Sequence, residues 1–480
     1  MKQLTLLFFI AYICINNIYA HVGKATHHVF IDSDCAIDDF RAITMLLGGH
    51  DIRVLGITSS EGSVSAEAGA QKISNLCADF YHDGIPQGIG KNLSTKTPAW
   101  RNFAESIQWG TLETPHKQKS ALSVIESSIR SYQYPVTLIA LGSLTTYAHF
   151  LQTYPQLKSK IHKIIWYNSN PLETGYNYLL DTASYTYIIE SGIPLHIVSN
   201  TRSDLLCSNA YLSKIAQVES IYAQKIISIH AQNEVQKRIE QNHLHLWDDL
   251  VALYLTNPIL FTSTTHGSIT KIEVSASIPI DFIFETIARI LISSQEYENR
   301  VFSTFPIEPH LYKKEYAVIL ADTYIKYGAA EWKAIVLTNE IHGHTGIYSI
   351  VGAKMGIRAC EYFNVGVNNI FVTSYAGNSP PLSCFNDGIQ ISTGATIGQG
   401  LITIADTVYA TPTVAFTCNN QTIYMSIRED IAKQMRADIA FGVQKYGLES
   451  PKYWEYIETL ARTYWSDFDR RAIFNIYASE

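Results

Sequence analysis

The stretch Ile31-Asp32-Ser33-Asp34-Cys35-Ala36-Ile37-Asp38-Asp39 holds four carboxylates in the eight residues from Asp32 to Asp39. The apolar run His28-Val29-Phe30-Ile31 leads into it and reads as a buried strand. Phe40 to Leu47 then follows with helical periodicity and stops at Gly48-Gly49. The acids therefore sit on a strand-to-helix turn, and open α/β sheets bind their ligands at the carboxyl ends of strands. Four acids this close repel one another, which a hard cation relieves, and oxygen-only ligation points to Ca²⁺ or Mg²⁺. An acidic first turn favoured by the helix macrodipole accounts for Asp38 and Asp39. It does not account for Asp32 and Asp34, which precede the helix.

Outward from that turn, 480 residues leave room for roughly two to four domains. A hydrophobic content of 47% with 16% charged residues suits a globular protein with a sizeable core. A net charge of −7 without a basic run argues against nucleic acid as a partner. Met1-Lys2, the apolar Leu4 to Ile15 and the small Ala20 read as a secretory signal peptide over residues 1–20, which predicts export to the periplasm. That apolar segment is too short to span a membrane, and no later stretch is long enough, so no membrane partner is expected. The six cysteines beyond it contain no CxxC pair, which argues against a zinc ribbon.

From Val29 to about residue 200 strand-like runs alternate with helical ones: Arg53–Thr58, Val136–Ala140, Lys163–Tyr167 and Pro194–Val198 against Ala66–Phe80 and a helix from Leu144. This predicts an α/β fold with a mostly parallel sheet flanked by helices. Asn209 to about Leu255 reads as a longer helical region whose segment 217–241 is polar, exposed and lid-like. A boundary falls in the Pro306/Pro309 region, giving a first domain at 21–310 and a second at 311–480. The second reads as a smaller α+β domain: helices over 316–327 and 347–363, strands at 370–374, 401–405, 408–409, 413–417 and 423–427, then a helical C-terminus over 428–464.

The Asp32-x-Asp34-x₃-Asp38-Asp39 turn resembles the D-x-D-P-G-x-D-D signature of the inosine/uridine-type nucleoside hydrolases. Four further segments keep the family order. They are Thr58 to Val64, Leu141-Gly142-Ser143-Leu144-Thr145-Thr146, Tyr176-Asn177 with Asp181, and Trp247-Asp248-Asp249-Leu250 through Asn257-Pro258. The resemblance implies a Ca²⁺ held by Asp34, Asp39, the Leu141 carbonyl and Asp248. Asp34 would also be the general base, and Asp38 and Asn177 would bind ribose hydroxyls. Cleaving an N-glycosidic bond develops an oxocarbenium-like sugar, which a cluster of anions stabilises. A homo-oligomer is expected from the family alone.

Departures from the signature lie around this metal set. Cys35-Ala36 replaces Pro-Gly, and Ser63 stands where the family has a ribose-facing Asn. Gly175 takes the place of a Glu that reads ribose hydroxyls. Trp247 replaces a His, and resembles the purine-specific branch in which an indole stacks on the base. Ser63 and Trp247 are thus candidate substrate contacts.

In the second half, His342-Gly343-His344 and the downstream Cys384 to Gly400 resemble the E-subunit family of formylmethanofuran dehydrogenase. That resemblance implies a divalent metal, with Zn²⁺ on His342, His344 and Cys384 and Asp387 as an outer partner. Gly346 and Ala395 stand where the family motifs have cysteines.

Together these readings predict a Ca²⁺-dependent hydrolase that takes a ribonucleoside or related N-riboside to free base and ribose. Two rivals follow from the same residues. One is a metal-dependent ribosyl- or polyol-binding protein that does not turn over. The other places the chemistry in the second domain.

Overall fold

Apolar alternation around β1 (His27–Ser33) sets the first domain. The strand is buried from Val29 onward, so it lies inside a sheet covered on both faces. The computed structural model describes residues 25–93, 97–111, 119–292 and 301–478. The expected signal peptide at 1–20 lies outside them. The chain falls into two compact units divided between Gln295 and Glu296.

The first unit continues with β2 (Ile52–Ser59), β3 (Gln87–Ile89), β4 (Lys119–Ser120), β5 (Val136–Ala140), β6 (Ile161–Tyr167), β7 (Leu195–Ser199), β8 (Phe261–His266) and β9 (Ile269–Val274). Among the described residues they form one nine-stranded sheet in the order β4-β3-β2-β1-β5-β6-β7-β9-β8. All neighbours run parallel except the β8–β9 hairpin. Strand order reverses between β1 and β5, so the acidic turn leaves β1 at a topological switch point, where such sheets open a crevice. The mostly parallel α/β fold read from sequence is the fold observed.

The region from Asn209 is helical as read, in four helices, Asn209–Ile215, Ile221–His230, Asn233–Glu240 and Asp249–Thr256. One expectation here is corrected: the segment 217–241 is not an exposed polar flap. Tyr222, Ala223, Ile226, Ile229, Val235 and Ile239 are buried in the main core, recurring at helical spacing between polar residues that face outward. The β8–β9 hairpin escaped the sequence reading because Thr-Ser-Thr-Thr shows no apolar alternation. It turns on Gly267 at φ +62°.

In the second unit β10 (Phe371–Ser374), β11 (Ile402–Ile404), β12 (Thr413–Cys418), β13 (Gln421–Ile427) and β14 (Phe474–Ala478) form a mixed sheet in the order β11-β10-β12-β13-β14. The helices Lys314–His342, Ile347–Phe363, Phe385–Thr393, Glu429–Tyr446 and Pro451–Asp467 complete the α+β pattern. A Cβ added at Gly352 would meet the Phe385 carbonyl at 2.2 Å, and one at Gly388 would meet the Ser349 carbonyl at 2.1 Å. The glycines therefore let two helix backbones touch. Val408-Tyr409 is not a strand. Both residues are exposed and Tyr409 N–H donates once, to the Tyr375 carbonyl at 3.0 Å.

Candidate active site

The turn after β1 is built from its own side chains. Asp39 accepts from Ser33 Oγ at 2.6 Å, from the Cys35 N–H at 3.2 Å and, through its other oxygen, from the Ala36 N–H at 3.2 Å. It thereby serves the free N–H groups at the start of the helix Ile37–Gly48. Cys35 adopts φ +64°, a left-handed corner that proline cannot take. The thiol is buried, and burial followed by Asp39 pushes its pKa well up, so it stays protonated.

Asp34 points into the cavity with Oδ2 held by the Ser63 N–H at 3.0 Å and by Ser63 Oγ at 3.4 Å. Ser63 Oγ in turn accepts from the Trp100 indole at 3.0 Å. Asp34 packs so tightly on the Glu61-Gly62-Ser63 loop that a Cβ at Gly62 would lie 2.1 Å from Oδ2. Ser63, read from sequence as a substrate contact, thus holds Asp34 as well as lining the cavity.

Asp38, Asp39 and Asp248 offer carboxylate oxygens that all lie within 4.8 Å of one another, and all three residues are buried. Among the described residues no other trio of acidic, His or Cys side chains does this. Burial first, and then the neighbouring acids, pushes the pKa of Asp34 up to about 7 and those of Asp39 and Asp248 well up. Burial also raises Asp38, against the pull of Arg41. Asp248 Oδ1 is buried without a hydrogen-bond partner. Buried, mutually repelling, incompletely satisfied oxygens fit a hard cation of the Ca²⁺ type.

The Leu141 carbonyl lines the same cavity and accepts from Asn177 Nδ2 at 2.9 Å, leaving one lone pair. Asn177 gives a second bond, at 3.1 Å, to the Tyr167 carbonyl. At Gly175 a Cβ would meet the Asn168 amide at 2.2 Å, so a side chain there would have to displace Asn168. Asn168 instead donates to the Ser169 and Leu172 carbonyls at 3.1 and 3.0 Å.

Above this floor lies a cavity of about 570 Å³, within the range of small-molecule sites. Trp100, Phe103, Tyr176 and Trp247 supply aromatic walls. His245 stacks on Trp247, with ring centroids 5.2 Å apart at 21°. The sequence reading missed Trp100 and Phe103, which sit at the start of the helix Arg101–Ser106, six residues long and too short to show periodicity, and it missed Arg41. A lone cation on an otherwise apolar helix face was the available signal for Arg41.

A family model described as inosine-uridine preferring nucleoside hydrolase matches residues 29–293, more than half of the chain. The chain belongs to that family. It therefore stands among hydrolases acting on N-glycosyl bonds. Uridine nucleosidase 1 of Arabidopsis thaliana is 25% identical over 255 residues, covering 50% of this chain and 74% of that protein. A non-specific ribonucleoside hydrolase RihC of Salmonella schwarzengrund is 24% identical over 254 residues, covering 50% of this chain and 81% of that one. Among solved structures, a purine-preferring ribonucleoside hydrolase from Gardnerella vaginalis aligns with a TM-score of 0.47 at 19% identity, covering 55% of this chain and 99% of that one. A second model, FmdE of the molybdenum formylmethanofuran dehydrogenase operon, matches residues 341–470. The hydrolase domain is thus joined to an FmdE domain.

The Zn²⁺ set expected in the FmdE domain does not assemble. Among the described residues His342, His344 and Cys384 do not bring three donor atoms within 4.8 Å of one another. His342 Nδ1 bonds Asp387 Oδ2 at 2.7 Å, the outer-partner contact expected from sequence, and its Nε2 is buried without a hydrogen-bond partner. The His344 ring packs edge-on against Trp454, with centroids 5.2 Å apart. Gly346, where the motif has a cysteine, supplies no donor at all.

Proposed function

We propose that the first domain hydrolyses the N-glycosidic bond of a ribonucleoside in a Ca²⁺-dependent reaction, releasing free base and ribose. One observation carries this reading: Asp38, Asp39 and Asp248 converge within 4.8 Å beneath an aromatic-walled cavity that Asp34 also faces. Asp34, Asp39, Asp248 and the Leu141 carbonyl are the oxygens that would hold the ion, with Asp38 turned toward a ribose hydroxyl. A bound Ca²⁺ would supply Lewis acidity toward water and the sugar hydroxyls.

The side chains divide the remaining work. Asp34, held ionised beside a bound cation, is placed to take the proton of a water there. The acidic floor stabilises positive charge developing on the sugar. Trp247 and Trp100 offer faces on which a base stacks, which orients the bond over the floor and keeps water from the far side. Asp34→Asn removes the proton acceptor and keeps the shape. It should abolish turnover with the fold unchanged by circular dichroism, and retained turnover would refute the assignment.

A second reading, a ribosyl-binding protein that keeps the ion without turnover, is favoured by the amides of Asn168 and Asn177, which are spent on backbone carbonyls. Ligand-induced thermal shift without product would select it. We also propose export, from the apolar N-terminal segment. Among the described residues no helix is long and apolar enough to cross a membrane.

A further inference from the structure

The floor of the cavity is acidic, but part of its wall is not. The end of the helix Asn233–Glu240 and the turn after it bring Arg238, Asn242, His243 and His245 into the lining. Asn242 adopts φ +54°, and the His243 N–H returns to the Arg238 carbonyl at 2.9 Å, so the chain doubles back and sets His243 beside Arg238. Among the described residues Arg238 is the one Lys or Arg side chain in that lining.

Its guanidinium lies 3.9 Å from the centroid of the Phe103 ring, and its side chain makes no ion pair with the described residues. The helix macrodipole favours a cation in this last turn, and the adjacent Lys237 answers it while pairing with Glu234. Arg238 is turned the other way, into the cavity. A guanidinium laid over an aromatic ring keeps its in-plane N–H fork directed outward. That fork matches the paired oxygens of a phosphate or carboxylate. A neutral nucleoside offers it no charge partner. An anion has no place among the floor acids, so separating the two charges gives a substrate one orientation.

We propose that the cavity takes an N-riboside carrying an anionic group, phosphate or carboxylate, held by Arg238 with Asn242 and His243. This rests on the hydrolase reading above and names its substrate class. The test is kcat/KM of the full chain with Ca²⁺ for uridine, uridine 5′-monophosphate and orotidine, at low and high salt. At low salt one anionic substrate should exceed uridine by about 10- to 100-fold, the worth of a charge-assisted hydrogen bond. The gap should narrow with salt. Preference for the monophosphate places the anion on the sugar, and preference for orotidine places it on the base.

Arg238→Gln should collapse the preference and Arg238→Lys should restore part of it. Equal kcat/KM across the panel, or a preference that Arg238→Gln leaves intact, overturns this proposal and leaves the hydrolase standing. Should none of the three be cleaved, nor inosine or guanosine, the hydrolase reading falls, and calorimetry with the same compounds decides the wall separately. Tighter binding of an anionic member that is lost in Arg238→Gln supports the proposal, and equal binding overturns it.

Discussion

Arg41 and Asp249 form a two-pronged ion pair at full burial, with Nε to Oδ1 at 2.7 Å and Nη2 to Oδ2 at 2.8 Å. The pair spans 208 residues and joins the two segments that carry the acidic floor. Arg41 lies one turn after Asp38, and Asp249 follows Asp248. Arg41 also reaches the His245 carbonyl at 2.8 Å and His230 Nε2 at 3.2 Å. His230 gives its Nδ1 hydrogen to the Ile226 carbonyl at 2.7 Å, so Nε2 accepts from Arg41. Burial, then Arg41, lowers its pKa to about 3 and keeps it neutral. Asp249 is thus neutralised within the protein, while Asp34, Asp38, Asp39 and Asp248, nearer the cavity, are not.

Removing one partner of this pair leaves the other charge buried and alone. Arg41→Met should cost about 3–5 kcal/mol by urea unfolding and weaken Ca²⁺ binding, because the Asp248 segment loses its tie. Arg41→Met with Asp249→Leu should recover part of the stability and none of the Ca²⁺ affinity. A single variant as stable as the wild type would contradict the role given to the pair.

The acidic floor predicts opposite pH dependences with and without Ca²⁺. Asp32 and Asp34 are raised from 3.8 to about 7, chiefly by burial. A group with a raised folded pKa contributes stability that is complete below its unfolded pKa and is lost as pH rises through the folded one. The chelated protein should therefore melt progressively lower from about pH 4 to 7, between the ordinary value and the raised one. Ca²⁺ needs ionised carboxylates, so its stabilising shift should grow over the same range, reaching about 2.7 kcal/mol at a hundredfold excess over Kd. Asp248→Asn should raise the chelated melting temperature and erase the Ca²⁺ shift. Calorimetric scans in chelator and in Ca²⁺ check both signs.

Gly62 tests how precisely Asp34 must sit. Gly62→Ala puts a Cβ where Oδ2 now lies, 2.1 Å away, so the carboxylate must move. A shift of about 1 Å can cost about 10²-fold in rate, and kcat should fall by that order while the melting temperature changes modestly. Undiminished kcat would mean that Asp34 is not the proton acceptor.

The FmdE domain should fail on the acid side. Burial alone would raise Glu361, but Arg470 at 2.8 Å and Arg471 at 2.6 Å override it and hold its pKa at about 2. A lowered folded pKa gives stability that is present above the unfolded value, near 4.5, and lost as pH falls toward 2. Glu361→Gln should destabilise the domain at neutral pH and flatten its acid limb below pH 4.5. An unchanged limb in that variant would show that the clamp carries no linkage.

The turn at Asp32–Asp39 was legible because the residues that make the strand, the corner and the first helical turn also carry the chemistry. The parallel sheet followed from alternation of local patterns, but the strand order that puts the turn at a switch point came only with the structure, because local patterns do not say which strands are neighbours. What stayed hidden depends on distance in sequence. Nothing near residue 41 announces residue 249, and the Asp38–Asp248 approach entered through family resemblance. The segment 217–241 misled because its many polar residues mask two apolar stripes on short helices. His342 and Cys384 were read as joint ligands from motif spacing, which carries no information on whether three donor atoms converge; the Asp387 contact read beside them is present and leaves His342 Nε2 without a partner.

The most direct measurement is release of free base from a nucleoside panel by the protein lacking residues 1–20, in Ca²⁺ and in chelator, with Asp34→Asn alongside. The account predicts release that needs Ca²⁺ and is absent from the variant. Release that persists in chelator, or in Asp34→Asn, would contradict it.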